Sequence, residues 1–327
     1  HLPQTHAIVK LIRLLCDFAV EPIVLLTETN VPKAENLSYF GKRDEAHVIY
    51  NFPLPPLILH ALIAGTAKHL AKWQRSMPPA PLGCAYLNFT ASHDGIGMRP
   101  AEGLLSQDDQ NAMIETVKRS GGLVSMRALP DGGQAPYELN TTYFDALSQT
   151  LDGSDDHHFD RFICSQTIVM SLEGIPAFYI HALLATPNDQ DAVVHRGMNR
   201  AINRHRWDYS ELRAKLDAPD STHAKVMKAL LDRLRLRKAQ AAFHPNATQF
   251  TVHTGDDRIL GLWRQSLDRR QSIFALHNVS SETVTVPVSV LNLIEDEDWV
   301  DLLVGEPIRE DDIVLAPYQC RWISNSG

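Results

Sequence analysis

Four short apolar runs, each breaking abruptly into polar residues, constrain this chain more than any other feature. Residues 23–26 (IVLL) pass into Thr27-Glu28-Thr29-Asn30, and residues 47–50 (HVIY) end at Asn51. "GCAYLNFTASHDGIG" runs into His93 and Asp94, and residues 175–181 (IPAFYIH) end at His181. An apolar run without polar alternation reads as a strand buried on both faces, the parallel-sheet type. Helical patterns separate the runs. Ile8, Leu11, Ile12, Leu15 and Phe18 share one face of a first helix that ends near Ala19. "LPPLILHALIAGTAKHLAKWQRSM" reads as one helix with Pro55 and Pro56 in its first turn. "DRFICSQTIVMSLEG" reads as a helix closed by Gly174, and residues 209–216 and 223–237 are helical as well. Strand–helix alternation of this kind predicts an α/β fold with a parallel sheet. Four such units make half of an eight-unit (β/α)8 barrel.

The rest of the chain predicts additions to that half-barrel. Residues 95–156 form a long insertion rich in Gly, Pro and Asp between the third strand and the next helix. An excursion of that length inside a compact domain points to function. After Pro245 the pattern changes to alternating or β-branched runs ("QFTVHT", "RILGLWRQS", "QSIFALHNVS", "TVTVPVSV", "YQCRWIS") with turns between them. These predict a small antiparallel β domain. The expected organisation is barrel strands and helices over 1–95, an insertion over 96–156, the end of the barrel over 157–245, and the β domain over 246–327. The chain begins without a methionine or an initial strand, as if in the middle of something. A net charge of −8 gives no basic footprint for nucleic acid, yet local arginines can still receive an anionic substrate. No signal peptide is recognised, and no apolar stretch reaches the length of a membrane span. Cys16, Cys84, Cys164 and Cys320 form no CxxC pair and read as free thiols, three of them buried, in a reducing compartment.

Polar residues at the carboxyl ends of barrel strands face the active site. Here those residues are Glu28, Asn51, His93 with Asp94, and His181. Glu28 and Asp94 are the carboxylates, and a pair of carboxylates is what glycoside chemistry requires. Taken singly, Glu28 is also the polar exit of a strand, Asp94 a turn residue before Gly95, and His93 a structural histidine. Their recurrence at the same end of successive strands favours a site.

"LLTETNVPKAENLSYFG", "DEAHVIYNFPLPPL", "NFTASHDGIGMRP", "PYELNTTYFDAL" and "INRHRW" follow one another in order and spacing. Together they resemble the sucrose phosphorylase branch of the α-amylase superfamily, in the C-terminal portion of its longer chains. The resemblance implies that Asp94 stabilises an oxocarbenium-like transition state while His93 hydrogen-bonds the glucose ring. It implies that Glu28 is the general acid/base, that Arg200 holds the glucosyl unit, and that Tyr137 lies near the phosphate and acceptor site. Glu138 and Ala135 stand where sucrose phosphorylases tend to carry glutamine and aspartate. "PYELN" is therefore closer to the glucosylglycerate and glucosylglycerol phosphorylases. Glu138 is read as acceptor-binding, with an ion pair that fixes the loop as the alternative. Arg127 either faces an anion or is an exposed loop residue.

The family's nucleophilic aspartate, with the first half of the barrel, is expected upstream of His1. The chain alone is therefore expected to be inactive and to fold poorly. The implied activity is retaining phosphorolysis of a small α-glucoside (glucosylglycerate, glucosylglycerol or sucrose) to α-glucose 1-phosphate. Phosphate is the co-substrate, with no metal or organic cofactor. Expected partners are the glucoside, phosphate and the missing half-barrel, with a homodimer possible, in the cytoplasm; no nucleic acid or membrane is expected. Two alternatives stand beside this reading: an α-glucosidase or transglucosidase of the same superfamily, and a non-catalytic carbohydrate-binding fragment.

Overall fold

The computed structural model describes residues 2–129, 132–291, 293, 298–309 and 311–325. Helix α1 (Pro3–Asp17) leads into strand β1 (Leu26–Thr27), helix α2 (Lys33–Ser38) and strand β2 (Val48–Tyr50). Helices α3 (Leu54–Ala64) and α4 (Lys68–Arg75) follow, then strand β3 (Ala85–Asn88). The insertion holds β4 (Ile96–Gly97), α5 (Gln107–Arg119), β5 (Leu123–Ala128), β6 (Gln134–Asn140), α6 (Tyr143–Ala146), β7 (Gln149–Thr150) and β8 (Gly153–Ser154). Helix α7 (His158–Ser171), strand β9 (Ile175–Pro176) and helices α8 (Ile180–Leu183), α9 (Gln190–Arg196), α10 (Tyr209–Asp217) and α11 (Thr222–Ala239) complete the α/β part.

The expected parallel sheet is present, in the order β1-β2-β3-β9. Its strands run in one direction, so their carboxyl ends gather on one side. Helix α3 is apolar all round and buried from Leu54 to Ile63, and α7 is buried from Arg161 to Ser171. Such helices belong inside a core rather than on its surface. They form one cluster with Phe243, Leu260 and Trp322, so the α/β part and the C-terminal domain share a hydrophobic core.

Several sequence expectations are corrected. The first apolar run pairs only at Leu26 and Thr27, and Ile23, Val24 and Leu26 are exposed rather than buried on both faces. β1 is an edge strand with a single described neighbour. The apolar face of α1 is likewise uncovered, with Leu11, Leu15 and Phe18 exposed. The helix expected from Leu54 onward is two helices, because Gly65 turns the chain at φ +66°. Gly174 does not close α7, which ends at Ser171. It sits at φ +108°, where a Cβ would lie 2.4 Å from the Tyr86 carbonyl oxygen. The glycine is required by that close approach. The fourth strand spans only Ile175–Pro176, and His181 lies on α8.

The insertion is not a structureless loop. β4, β6 and β5 form an antiparallel sheet, and α5 begins at a capping box between Ser106 and Asp109. The C-terminal domain contains β10 (Thr248–Val252), β11 (Ile259–Gln265), β12 (Ser272–Asn278), β13 (Val284–Pro287), β14 (Val300–Asp301), β15 (Glu306–Pro307), β16 (Asp312–Leu315) and β17 (Cys320–Ser324). Six strands form one antiparallel sheet, and β13 pairs with β16 apart from it. Strands β14 to β16 lack any long β-branched run and were not expected from the sequence. The docking of this domain is polar as well as apolar. Trp322 Nε1 donates to Ser171 Oγ at 2.8 Å, and His277 Nε2 lies 2.9 Å from the same oxygen.

Candidate active site

The segment after β3 carries His93 and Asp94 around a tight turn. Asp94 N–H donates to Ser92 Oγ at 3.1 Å, and Asn203 Nδ2 donates to the carbonyls of Ser92 (3.1 Å) and Asp94 (2.8 Å). Arg204 Nε donates to the His93 carbonyl at 2.6 Å. Asn203 and Arg204 therefore hold the turn from outside. Gly95 follows because nothing larger fits: a Cβ there would meet Glu138 Cγ at 2.4 Å and the Leu139 carbonyl at 2.5 Å. The Gly95 N–H donates to Glu138 Oε1 at 2.6 Å.

Arg200, on the short 3-10 turn Asn199–Asn203, joins the two carboxylates. Its Nη1 lies 2.7 Å from Asp94 Oδ1, and its Nε and Nη2 donate to Glu138 at 3.0 and 2.7 Å. The hydrogen bonds to Glu138, followed by the charges of Glu138 and Asp94, raise the Arg200 pKa further above its ordinary value. Arg204 Nη2 adds a second cation 3.1 Å from Asp94 Oδ1. Glu138 is buried, and its oxygens also accept from Asn140 Nδ2 at 2.7 Å. Four donor atoms from Arg200, Gly95 and Asn140 thus converge on this carboxylate, and the ion pair expected as its alternative role is present with Arg200. A side chain whose lone pairs are taken by protein donors has little left for a substrate hydroxyl.

Asp94, Tyr137, Glu138 and Arg200 line one cavity, with Phe52, Phe89, Asn30 and Asn203. Its volume is about 50 Å³, so the ion-pair network nearly fills it. Phe52 and Phe89 meet edge to face at 5.6 Å and supply an apolar wall. Glu28 and His93 are not on that wall. Glu28 follows β1 and is exposed, close enough to Tyr50 for its charge, after burial, to help raise the tyrosine pKa. The His93 side chain is 60% exposed, with Nε2 3.5 Å from Asp94 Oδ1. His181 is turned away from the site: its Nδ1 lies 3.0 Å from Thr186 Oγ1, and burial lowers its pKa. Asn51 donates to Asn88 at 2.6 Å inside the protein. Arg127 pairs with Glu102 at 2.9 Å. Asn203 and Arg204 were missed as site residues, although both stand in the quoted "INRHRW" motif. Among the described residues no cluster of three or more His, Cys, Asp or Glu could hold a metal ion, and no helix is long and apolar enough to cross a membrane.

No family model matches the chain. Among curated proteins, it is 38% identical to a glucosylglycerate phosphorylase of Spirochaeta thermophila, over 99% of this chain and 56% of that protein. It is 36% identical to the glucosylglycerate phosphorylase of Escherichia coli, again over 99% and 56%. A sucrose phosphorylase of Agrobacterium vitis is 32% identical over 63% of this chain and 40% of the relative. The chain thus spans a little over half the length of the glucosylglycerate phosphorylases it matches. Among solved structures, sucrose 6F-phosphate phosphorylase from Thermoanaerobacter thermosaccharolyticum superposes with a TM-score of 0.66 at 22% identity, covering 90% of this chain and 52% of that one. The enzyme AmyP in complex with maltose gives 0.64 at 13% identity, over 98% and 62%. At these identities the structural likeness speaks to the fold alone. The fold is that of the second half of an α-amylase-type barrel with its C-terminal β domain.

Proposed function

We propose that this chain, which resembles the C-terminal portion of the sucrose phosphorylase branch of the α-amylase superfamily along 99% of its length, serves a retaining glucoside phosphorylase. In the whole protein, Glu28 protonates the leaving oxygen while a nucleophilic aspartate, contributed by sequence ahead of His1, attacks the anomeric carbon. Asp94 stabilises the positive charge that develops on the sugar, and His93 at the rim bonds a ring hydroxyl. Phosphate then intercepts the glucosyl-enzyme, with Glu28 as base, and α-glucose 1-phosphate leaves. The observation that carries this reading is the Asp94–Arg200–Glu138 network at the carboxyl ends of the parallel strands. It holds a carboxylate and a guanidinium beside the Phe52–Phe89 wall, an arrangement that suits a glucosyl unit.

The donor favoured is glucosylglycerate. Three glucosylglycerate phosphorylases match at 36–38% identity over 99% of the chain, against 29% over 59% for a glucosylglycerol phosphorylase. The charge distribution supports an anionic acceptor. A second cavity of about 310 Å³ shares Asn30 with the first and is lined by two cations, Lys33 and Arg99, against one carboxylate, Glu102. The test is phosphorolysis by the whole protein of glucosylglycerate, glucosylglycerol and sucrose, with glucose 1-phosphate as readout. Phosphate-dependent product from glucosylglycerate alone is expected. Glucose released without phosphate from any of the three would mean a hydrolase instead.

A further inference from the structure

Outside the cavity of this site, two cysteines 156 residues apart in sequence lie in contact. Cys164, on α7, and Cys320, on β17, place their sulfurs 3.6 Å apart, and both are free thiols. We infer that Cys164 and Cys320 form a redox modification site, a dithiol that a hydroperoxide converts into a disulfide joining α7 to the C-terminal domain. The two sulfurs stand at a cavity of about 320 Å³ lined also by Phe159, Asp160, Arg233 and Tyr318. That volume admits a small oxidant.

The two thiols differ in a way that orders the chemistry. Cys320 is 8% exposed, whereas Cys164 is fully buried with its S–H directed at the Asn278 carbonyl at 3.5 Å. Burial pushes the Cys164 thiol well above its ordinary pKa, and the Arg233 guanidinium on the cavity wall opposes that rise. Arg233 Nε is buried and has no hydrogen-bond partner among the described residues. Cys320 therefore meets the oxidant first. Its sulfur attacks one peroxide oxygen, the O–O bond breaks, and the products are a Cys320 sulfenic acid and water (or an alcohol, from an organic hydroperoxide). The Cys164 sulfur, already in contact, then attacks the sulfenic sulfur. The S–S bond forms as the S–O bond breaks, and the hydroxyl leaves as a second water with the Cys164 proton. Both sulfurs are oxidised by one electron each, and the peroxide is reduced by two. An external dithiol reverses the step.

The test incubates the reduced whole protein with hydrogen peroxide, followed by intact mass and a non-reducing peptide map. A mass loss of about 2 Da is expected, with a peptide pair linking Cys164 to Cys320 that dithiothreitol dissolves. Cys84→Ser should keep the link, while Cys164→Ser and Cys320→Ser should each abolish it. The linked form should also melt at a higher temperature, because the bond restrains the unfolded chain. Gains of about 16 or 32 Da on Cys320 without a link would overturn the inference. So would linkage through Cys16 alone, or no change of mass.

Discussion

Replacing Glu138 by glutamine tests the network at its centre. The carboxylate receives Arg200 through Nε and Nη2, the Gly95 N–H and the Asn140 amide. Every one of these groups is a donor. A glutamine amide offers one acceptor oxygen and turns an NH2 towards donors, so at least one hydrogen bond becomes a clash of like ends. Removing one partner of a fully buried ion pair costs about 3–5 kcal/mol. The Arg200 side chain is 34% exposed and keeps Asp94 at 2.7 Å, which softens the loss to about 2 kcal/mol. If that loss falls on the bound transition state, kcat/KM drops by about 30-fold, at 1.36 kcal/mol per decade. The assay compares glucosylglycerate, glucosylglycerol and sucrose as donors for wild type and Glu138→Gln. A residue that positions Arg200 acts on the glucosyl half common to all three, so the fold-loss should be the same for each. Arg200→Ala combined with Glu138→Gln should cost little more than Arg200→Ala alone. A loss confined to one donor would show that Glu138 reads the acceptor, and the reasoning from its filled lone pairs would be wrong.

Three further outcomes are expected. Glu28→Gln should abolish turnover of natural glucosides yet spare glucosyl transfer from an activated aryl glucoside, whose leaving group needs no proton; equal loss on both donors would remove Glu28 from the acid/base role. Gly174→Ala should destabilise by about 3 kcal/mol or more, read as a fall in urea midpoint, because its Cβ would meet the Tyr86 carbonyl at 2.4 Å; an unchanged midpoint would contradict the close approach. His277 is held neutral by burial, its pKa lowered from 6.5 to about 4. The unfolded chain takes up its proton first as pH falls, so this stabilisation is complete above about pH 6.5 and is lost towards pH 4, with a slope of at most about 1.4 kcal/mol per pH unit. His277→Gln should flatten that limb of the urea midpoint against pH, and an unchanged slope would assign the acid sensitivity to other groups.

The parallel sheet was legible because short apolar runs survive in the sequence whatever their final exposure. Their lengths were not legible. Residues 23–26 look like a doubly buried strand, but pairing depends on neighbours on both edges, and β1 has one described neighbour. The helical pattern reads through Gly65 and takes Gly174 as helix punctuation, yet only the first acts so. The second answers a contact with Tyr86 that lies far away in sequence. In the site, Asp94 and Arg200 followed from motifs, and they meet at 2.7 Å. For Glu138 the motif left an ion pair as one of two readings, but not its partners, because the three groups that engage it come from a turn, a glycine and its own strand.

That distribution explains how the site is built. Asp94 comes from the turn after β3, Glu138 from β6 of the insertion, and Arg200 from the turn after α9. None of these elements is a barrel strand, and each is short or irregular. Rigidity comes from cross-bracing: Asn203 holds the Asp94 turn, Glu138 holds Arg200 and Gly95, and Asn188 ties the segment before α9 to the Thr142 N–H at 2.7 Å. Charge is what makes the bracing specific. Arg200 faces both Asp94 and Glu138 in a cavity of about 50 Å³, and Arg204 reaches Asp94 at 3.1 Å, so each carboxylate is matched by a cation and little volume is left to water. Under the proposed function, a glucosyl unit would enter such a site by taking over hydrogen bonds that Arg200 now makes. Affinity for sugar and stability of the network would then draw on the same guanidinium. A substitution that weakens the Arg200–Glu138 pair while sparing Asp94 should loosen the fold locally and change glucosyl binding together, with neither effect appearing alone.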